Sequence, residues 1–235
     1  MTEEEIHKIC EKFDIKNYTI NNDMTIDVNS HVELDDCVTF FNVEISKLPV
    51  NFNKVSGDFD CSANELITLK GCPKIVEGFF KCTHNNLKSL KYSPEYIEGE
   101  FACENNDLKT LDYLPQRGVK EVFASNNKIT SLKGLPNNLV YVDVENNNIR
   151  SLDGFTKDTI IKTEDIHTYL ILNENQIYEL FTLFGDIEHI EYFNELDIIQ
   201  ENGEVVILDR LNYFLTDIGR NEVKKERIKN YTVFK

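Results

Sequence analysis

The stretch Val55–Leu152 says the same thing five times, and a chain written this way has few folds open to it. Phe59, Cys61, Asn64, Leu66 and Leu69 return as Phe80, Cys82, Asn85, Leu87 and Leu90, then as Phe101, Cys103, Asn106, Leu108 and Leu111. The fourth copy softens to Val122, Ala124, Asn127, Ile129 and Leu132, and the fifth is Val142, Val144, Asn147, Ile149 and Leu152. The step is 21 residues three times and then 20. Pro73, Pro94, Pro115 and Pro136 close four of the copies. A fixed period of this length marks a stacked-repeat chain. No copy can bury its own apolar side, so the stack is the folding unit.

Each copy reads apolar-x-apolar-x-x-Asn-x-apolar-x-x-apolar, the skeleton of a leucine-rich repeat. The first part is a short strand with alternate side chains turned inward. At the bend that follows, a buried Asn can bond the backbone groups the bend sets free, and stacking at strand spacing lines these residues up as a ladder. The expected fold is therefore α/β: a leucine-rich repeat solenoid of short parallel strands with about 5–6 repeats. An N-terminal cap and irregular first repeat are expected over 1–54, the repeats over 55–154, and a C-terminal α-rich cap or small domain over 155–235.

The flanks read as follows. Thr2 and Glu5 form a capping box, and Ile6, Ile9, Cys10 and Phe13 share a helical face. Tyr18–Val28 reads as a hairpin turning at Asn22-Asp23. His31–Pro49 alternates, and Ile45-x-x-Leu48-Pro49 echoes the repeat one period early. After Leu152 the period stops. Ile177, Leu180, Phe181 and Phe184 predict a helix ended by Gly185, and Ile187, Ile190, Phe193, Leu196 and Ile199 a second. Val205–Leu208 predicts a short strand after Asn202-Gly203; Leu211, Phe214, Leu215 and Ile218 predict a third helix closed by Gly219.

The formal net charge of −16 argues against binding a nucleic-acid backbone or an anionic membrane, and suits a partner with a basic or mixed surface. Glu164–Glu204 carries eleven acidic residues and no Lys or Arg, whereas Arg220–Lys235 carries six basic and two acidic ones. That tail is expected to fold back on the acidic helices. The acidic start of the chain is unlike a secretory signal, and no apolar run is long enough to span a membrane, so a cytoplasmic protein with reduced thiols is expected.

Copies such as Val55-Ser-Gly-Asp-Phe-Asp-Cys-Ser-Ala-Asn-Glu-Leu and Val76-Glu-Gly-Phe-Phe-Lys-Cys-Thr-His-Asn-Asn-Leu resemble the leucine-rich repeat proteins of tailed bacteriophages, largely the T4-like group. The lead-in Asn17–Val28 and the segments Asp197–Gln200 and Ile207–Leu215 share the likeness. The fourth and fifth copies depart from it, and Leu135–Val144 looks closer to the Leu-Pro repeats of bacterial effectors. The resemblance implies a phage-encoded interaction scaffold in the host cytoplasm rather than a reaction.

The residues point away from catalysis too. Cys61, Cys82 and Cys103 share one inward position and read as small apolar fillers, with no C-x-x-C pair for a structural metal. All six cysteines precede residue 104, so the C-terminal block lacks the nucleophile of effector ubiquitin ligases. His84, His167 and His189 have no spaced partner, and neither a phosphate loop nor a Ser-His-Asp pattern is present. No enzyme, cofactor or metal is expected.

What remains is a surface. The residues beside the inward strand positions should face out on a concave sheet, in three columns: Asp58, Phe79, Glu100, Glu121 and Tyr141; Asp60, Lys81, Ala102, Phe123 and Asp143; Ser62, Thr83, Glu104, Ser125 and Glu145. Exposed aromatics among charges are typical of binding hot spots. The expected function is protein binding, with a host protein, such as a defence component, inhibited. The alternative is an acidic nucleic-acid mimic built on the Glu164–Glu204 run.

Overall fold

The computed structural model describes residues 1–29, 37–156, 158–159, 169–200 and 203–234. Helix α1 (Glu3–Lys12) carries the Thr2/Glu5 capping box and buries Ile6 and Cys10. Strands β1 (Tyr18–Ile20) and β2 (Ile26–Val28) pair antiparallel. From there to residue 102 the chain alternates between two sheets, and its next three strands all join the first of them. One receives β3 (Val38–Thr39), β5 (Phe59–Asp60), β7 (Phe80–Lys81), β9 (Gly99–Ala102), β10 (Val119–Phe123), β11 (Tyr141–Asp143) and β12 (Tyr169–Ile171). The other receives β4 (Phe52–Val55), β6 (Ile75–Val76) and β8 (Tyr96–Ile97) beside β2 and β1.

This corrects the expected architecture. The repeats were to form a short-strand leucine-rich repeat solenoid of about 5–6 turns between a helix/hairpin cap and an α-rich cap. The structure instead has one parallel sheet of seven strands and a second of five, with few helices. The hairpin is no separate cap, because β2 pairs parallel with β4 and so continues the five-stranded sheet. The C-terminal block is not a helical cap alone. It opens with β12, which extends the seven-stranded sheet, and holds a mixed sheet of its own: β13 (Ile199–Gln200), β14 (Val205–Ile207) and β15 (Thr232–Phe234). Between them stand α2 (Tyr178–Phe184), α3 (Ile190–Glu195) and α4 (Leu208–Asp217). Ile199 therefore belongs to a strand, not to the long second helix its spacing predicted. Of the earlier expectations, part of the His31–Pro49 alternation (31–36), His167, Asn202 of the expected turn, three of the eleven acids and Lys235 lie outside the described residues.

The core explains the period. Phe59, Phe80 and Phe101 are fully buried, and their rings stack at 5.6 and 5.4 Å. Phe13 at the end of α1 meets Phe40 at 5.1 Å, which covers the first end of that column. The Cys61 and Cys82 thiols are fully buried and donate to the Lys81 and Ala102 carbonyls. A small thiol at this position fills space and engages a bend carbonyl at once.

Each asparagine binds backwards. The Asn106 side-chain oxygen accepts the Leu87 N–H at 2.9 Å, while its amide nitrogen donates to the Cys82 carbonyl at 3.0 Å and to Cys103 and Glu104. Asn85, Asn127 and Asn147 do the same one turn earlier or later. The ladder thus runs through the backbone of the preceding turn rather than from one asparagine to the next. It also reaches further than the five copies. Asn175 accepts from the Ile149 N–H at 2.9 Å and donates to the Val144 carbonyl at 2.8 Å.

Replacing Asn106 by Ala strands the buried Leu87 N–H and the Cys82 carbonyl. Asn106→Ala should cost about 2–4 kcal/mol, since each lost buried partner costs roughly 1–3 kcal/mol. Asn86→Ala, on an exposed neighbour, should stay within about 0.5 kcal/mol. Urea unfolding of both variants checks the contrast.

Candidate functional site

The seven-stranded sheet turns one row of side chains inward at each strand, which leaves the other face for solvent or a partner. In register, Thr39, Asp60, Lys81, Ala102, Phe123, Asp143 and Ile171 form one row across it. Glu100, Glu121, Tyr141 and Tyr169 form the next. Cys82 and Ala124 are fully buried while Phe79 is 43% exposed, as the alternation of the strands requires, but Ser62, Ala102 and Ser125, expected to face out, are buried. Thr39, Tyr169 and Ile171 extend the face beyond the residues the sequence singled out. Tyr169 and Ile171 had a signal. Leu170, Leu172, Asn175, Ile177 and Leu180 spell the repeat once more, 28 residues after the fifth copy rather than 20 or 21.

The eleven charged and aromatic residues of the three columns sort into five groups. Asp58, Asp60 and Asp143 spend one carboxylate oxygen at home, accepting from the Phe79, Ser62 and Glu145 backbone N–H groups at 2.7, 2.8 and 2.9 Å. Phe79, Lys81 and Glu100 form a chain of contacts: the Lys81 ammonium lies 5.5 Å from the Phe79 ring centroid and 3.3 Å from a Glu100 oxygen. Phe123 and Tyr141 lean together at 5.1 Å between ring centroids. Glu121 and Glu145 are half-buried beside that ring pair.

Glu104 stands out among them. One of its carboxylate oxygens, Oε2, is buried and has no hydrogen-bond partner, the one such side-chain atom among the described residues. Burial pushes its carboxyl above the usual range, and Glu100 and Asp143 push the same way, while its own backbone N–H and His84 pull partly back. Asp143 is raised chiefly by burial and then by Glu145. Tyr141 is raised by burial and by Asp143, Glu121 and Glu145. Ala102, at 2% exposed, lies between Lys81 and Phe123 in the same row, so its small side chain sets a low point in the face. A crowded, partly dehydrated group of carboxylates beside two aromatic rings can do one thing well: receive cations that bring hydrogen-bond donors.

Compared with protein-family models, curated proteins and solved structures, the chain matches none. The site is therefore read from its own chemistry. Among the described residues no group of three or more His, Cys, Asp or Glu is placed to hold a metal ion. Burial drives the Cys82 thiol well above its ordinary value, which keeps it protonated and a poor nucleophile. No helix among the described residues is long and apolar enough to cross a membrane.

The acidic C-terminal run is partly spoken for. Asp197 pairs with Arg210 at 2.9 Å and Glu204 with Arg150 at 3.1 Å. The basic tail does return to the body, but through other bonds. Arg220 donates to the Phe184 carbonyl, the Tyr231 hydroxyl to the Arg150 carbonyl, and β15 pairs parallel with β14.

The raised Glu104 carboxyl has a sign. Its folded form holds a proton more tightly than its unfolded form, so its contribution favours folding below the ordinary carboxylate range and is lost as pH rises through the raised value. Glu104→Gln should therefore match the native protein in acid and become the more stable of the two, by on the order of 1 kcal/mol, at neutral pH. Thermal melts of both proteins from pH 4 to 8 read the gap. A gap that widens toward acid contradicts the assignment.

Proposed function

We propose that this chain is a non-catalytic binding scaffold whose outward sheet face docks a host protein with a basic or mixed surface. The observation that carries the reading is the crowding of the half-exposed Glu100, Glu104 and Asp143 carboxylates on the sheet face that also holds the Phe123–Tyr141 ring pair. A folded chain gains nothing by dehydrating a carboxylate and leaving it without a donor. A partner arginine would meet these half-exposed carboxylates from the open side of the sheet, and could lie against the rings as it does so. Such anchors, with aromatics at the centre and charge around them, carry most of the energy in protein interfaces. The phage-like wording of Val55–Leu66 and Val76–Leu87 supports a phage origin. A phage protein of this kind acts by inhibiting what it holds, and an anti-phage defence component is the partner class we favour.

Affinity capture from bacterial host lysate, followed by mass spectrometry, tests this reading. The native chain should retain a basic protein, and the Phe123→Ala/Asp143→Lys double variant should lose it by about ten-fold or more, as hot-spot truncations at about 1.4 kcal/mol or above do. No retained protein, or equal capture by both, rejects the docking face.

A further inference from the structure

A second surface lies at the turns that follow the two later leucines of each copy. In each copy a backbone bond closes the same turn: Cys72 N–H to Leu69, Ser93 to Leu90, Leu114 to Leu111, Leu135 to Leu132 and Phe155 to Leu152. The third residue of the turn has positive φ every time. It is glycine in three copies, Gly71, Gly134 and Gly154, at φ 101°, 99° and 91°. A Cβ at Gly134 would stand 2.6 Å from the Leu111 carbonyl oxygen of the preceding turn, so glycine is what this position wants. Yet the second and third copies place tyrosine there, Tyr92 at φ 74° and Tyr113 at φ 70°.

A bulky residue at positive φ is a true outlier, and its strain persists only where something else requires it. Burial does not require it here, because Tyr92 is 51% and Tyr113 62% exposed. The two rings sit on adjacent turns, joined by a bond from the Ser93 hydroxyl to the Tyr113 carbonyl. Their surroundings are cationic in a chain of net charge −16. Lys70, Lys88, Lys91 and Lys109 are exposed at or just before these turns, and none forms an ion pair among the described residues. Lys91 lies 5.2 Å over the Tyr92 ring centroid. Asp107 is paired with Lys128, while Asp112 and Glu95 stand exposed beside the turns, so the four lysines outnumber these two acids.

We infer that this ridge binds single-stranded nucleic acid, with bases stacked on Tyr92 and Tyr113 and phosphates held by the neighbouring lysines. Planar rings beside a row of cations are the two parts of a single-strand platform: the rings take any base, and the cations follow the backbone. An acidic peptide would use the lysines alone and would give the strained rings no purpose. Whole-chain charge argued against nucleic acid, but at physiological salt charges more than about 8 Å away are largely screened, so the local cations decide. The ridge uses none of the residues assigned to the sheet face and stands or falls apart from it.

The test is fluorescence anisotropy of the full chain with a labelled U12 or dT12 strand, in about 50 mM and then about 200 mM salt. Both strands should bind, more weakly at high salt, and comparing them tells whether RNA or DNA is preferred. Tyr92→Gly/Tyr113→Gly should weaken binding about ten-fold or more while raising the melting temperature, since glycine relieves the turns. Lys88→Gln/Lys109→Gln should weaken binding and flatten its salt dependence. The melting temperature separates lost binding from lost folding. The inference is overturned by no binding at low salt, by equal binding of a duplex of the same length, by equal binding of a polyglutamate peptide, or by a tyrosine double variant that binds as well as the native chain.

Discussion

One side-chain amide per turn holds the backbone where strand gives way to bend. Asn64, Asn85, Asn106, Asn127, Asn147 and Asn175 each take an N–H and return an amide hydrogen to carbonyls of the turn before. The bends lie in the interior, where water cannot serve those groups, so an unmade bond there would cost far more than a made one yields. Apolar burial drives the stack together, but apolar contact is tolerant of small shifts. The amide is not, and it sets the rise from turn to turn. The register of the seven-stranded sheet follows from it, and with the register comes the list of side chains left facing out.

That inheritance explains why the two surfaces differ in kind. On the sheet face, neighbouring rows are held at strand spacing whether or not their charges suit one another. Glu100, Glu104 and Asp143 are crowded because the backbone puts them there, and part of their hydration is lost as a result. At the turns the constraint is on φ rather than on side-chain crowding. There the chain departs from glycine at Tyr92 and Tyr113 and carries the strain in the backbone. Both are local conflicts within an otherwise consistent design, and such conflicts tend to sit where a chain is used.

Much of this was legible in the letters. The five copies gave the inward residues, the asparagines and most of the outward columns, though not the burial of Ser62, Ala102 and Ser125, because a strand alternates strictly and the period left little freedom. The helices capped by Thr2 and Gly185 were equally plain. The overall architecture was not. Two-residue strands such as Ile75–Val76 carry too few side chains to show alternation, so the second sheet and its union with the Tyr18–Val28 hairpin had no clear signature. The apolar spacing of Ile187–Ile199 mimicked one helix, although the chain passes there from a 3-10 turn through α3 into a strand. The summed charge hid the lysines of the turns. The unpartnered Glu104 oxygen depends on the packing around one side chain, which no spacing rule records.

The step from Asn147 to Asn175 is seven residues longer than the regular step of 21, yet Asn175 meets Ile149 and Val144 as its predecessors meet theirs. Extra length is therefore taken up outside the rungs, with no change to the fit between them. A fold with that property can grow by splicing. Such growth spares the pitch so long as each added turn keeps its asparagine and the N–H and carbonyl that asparagine serves.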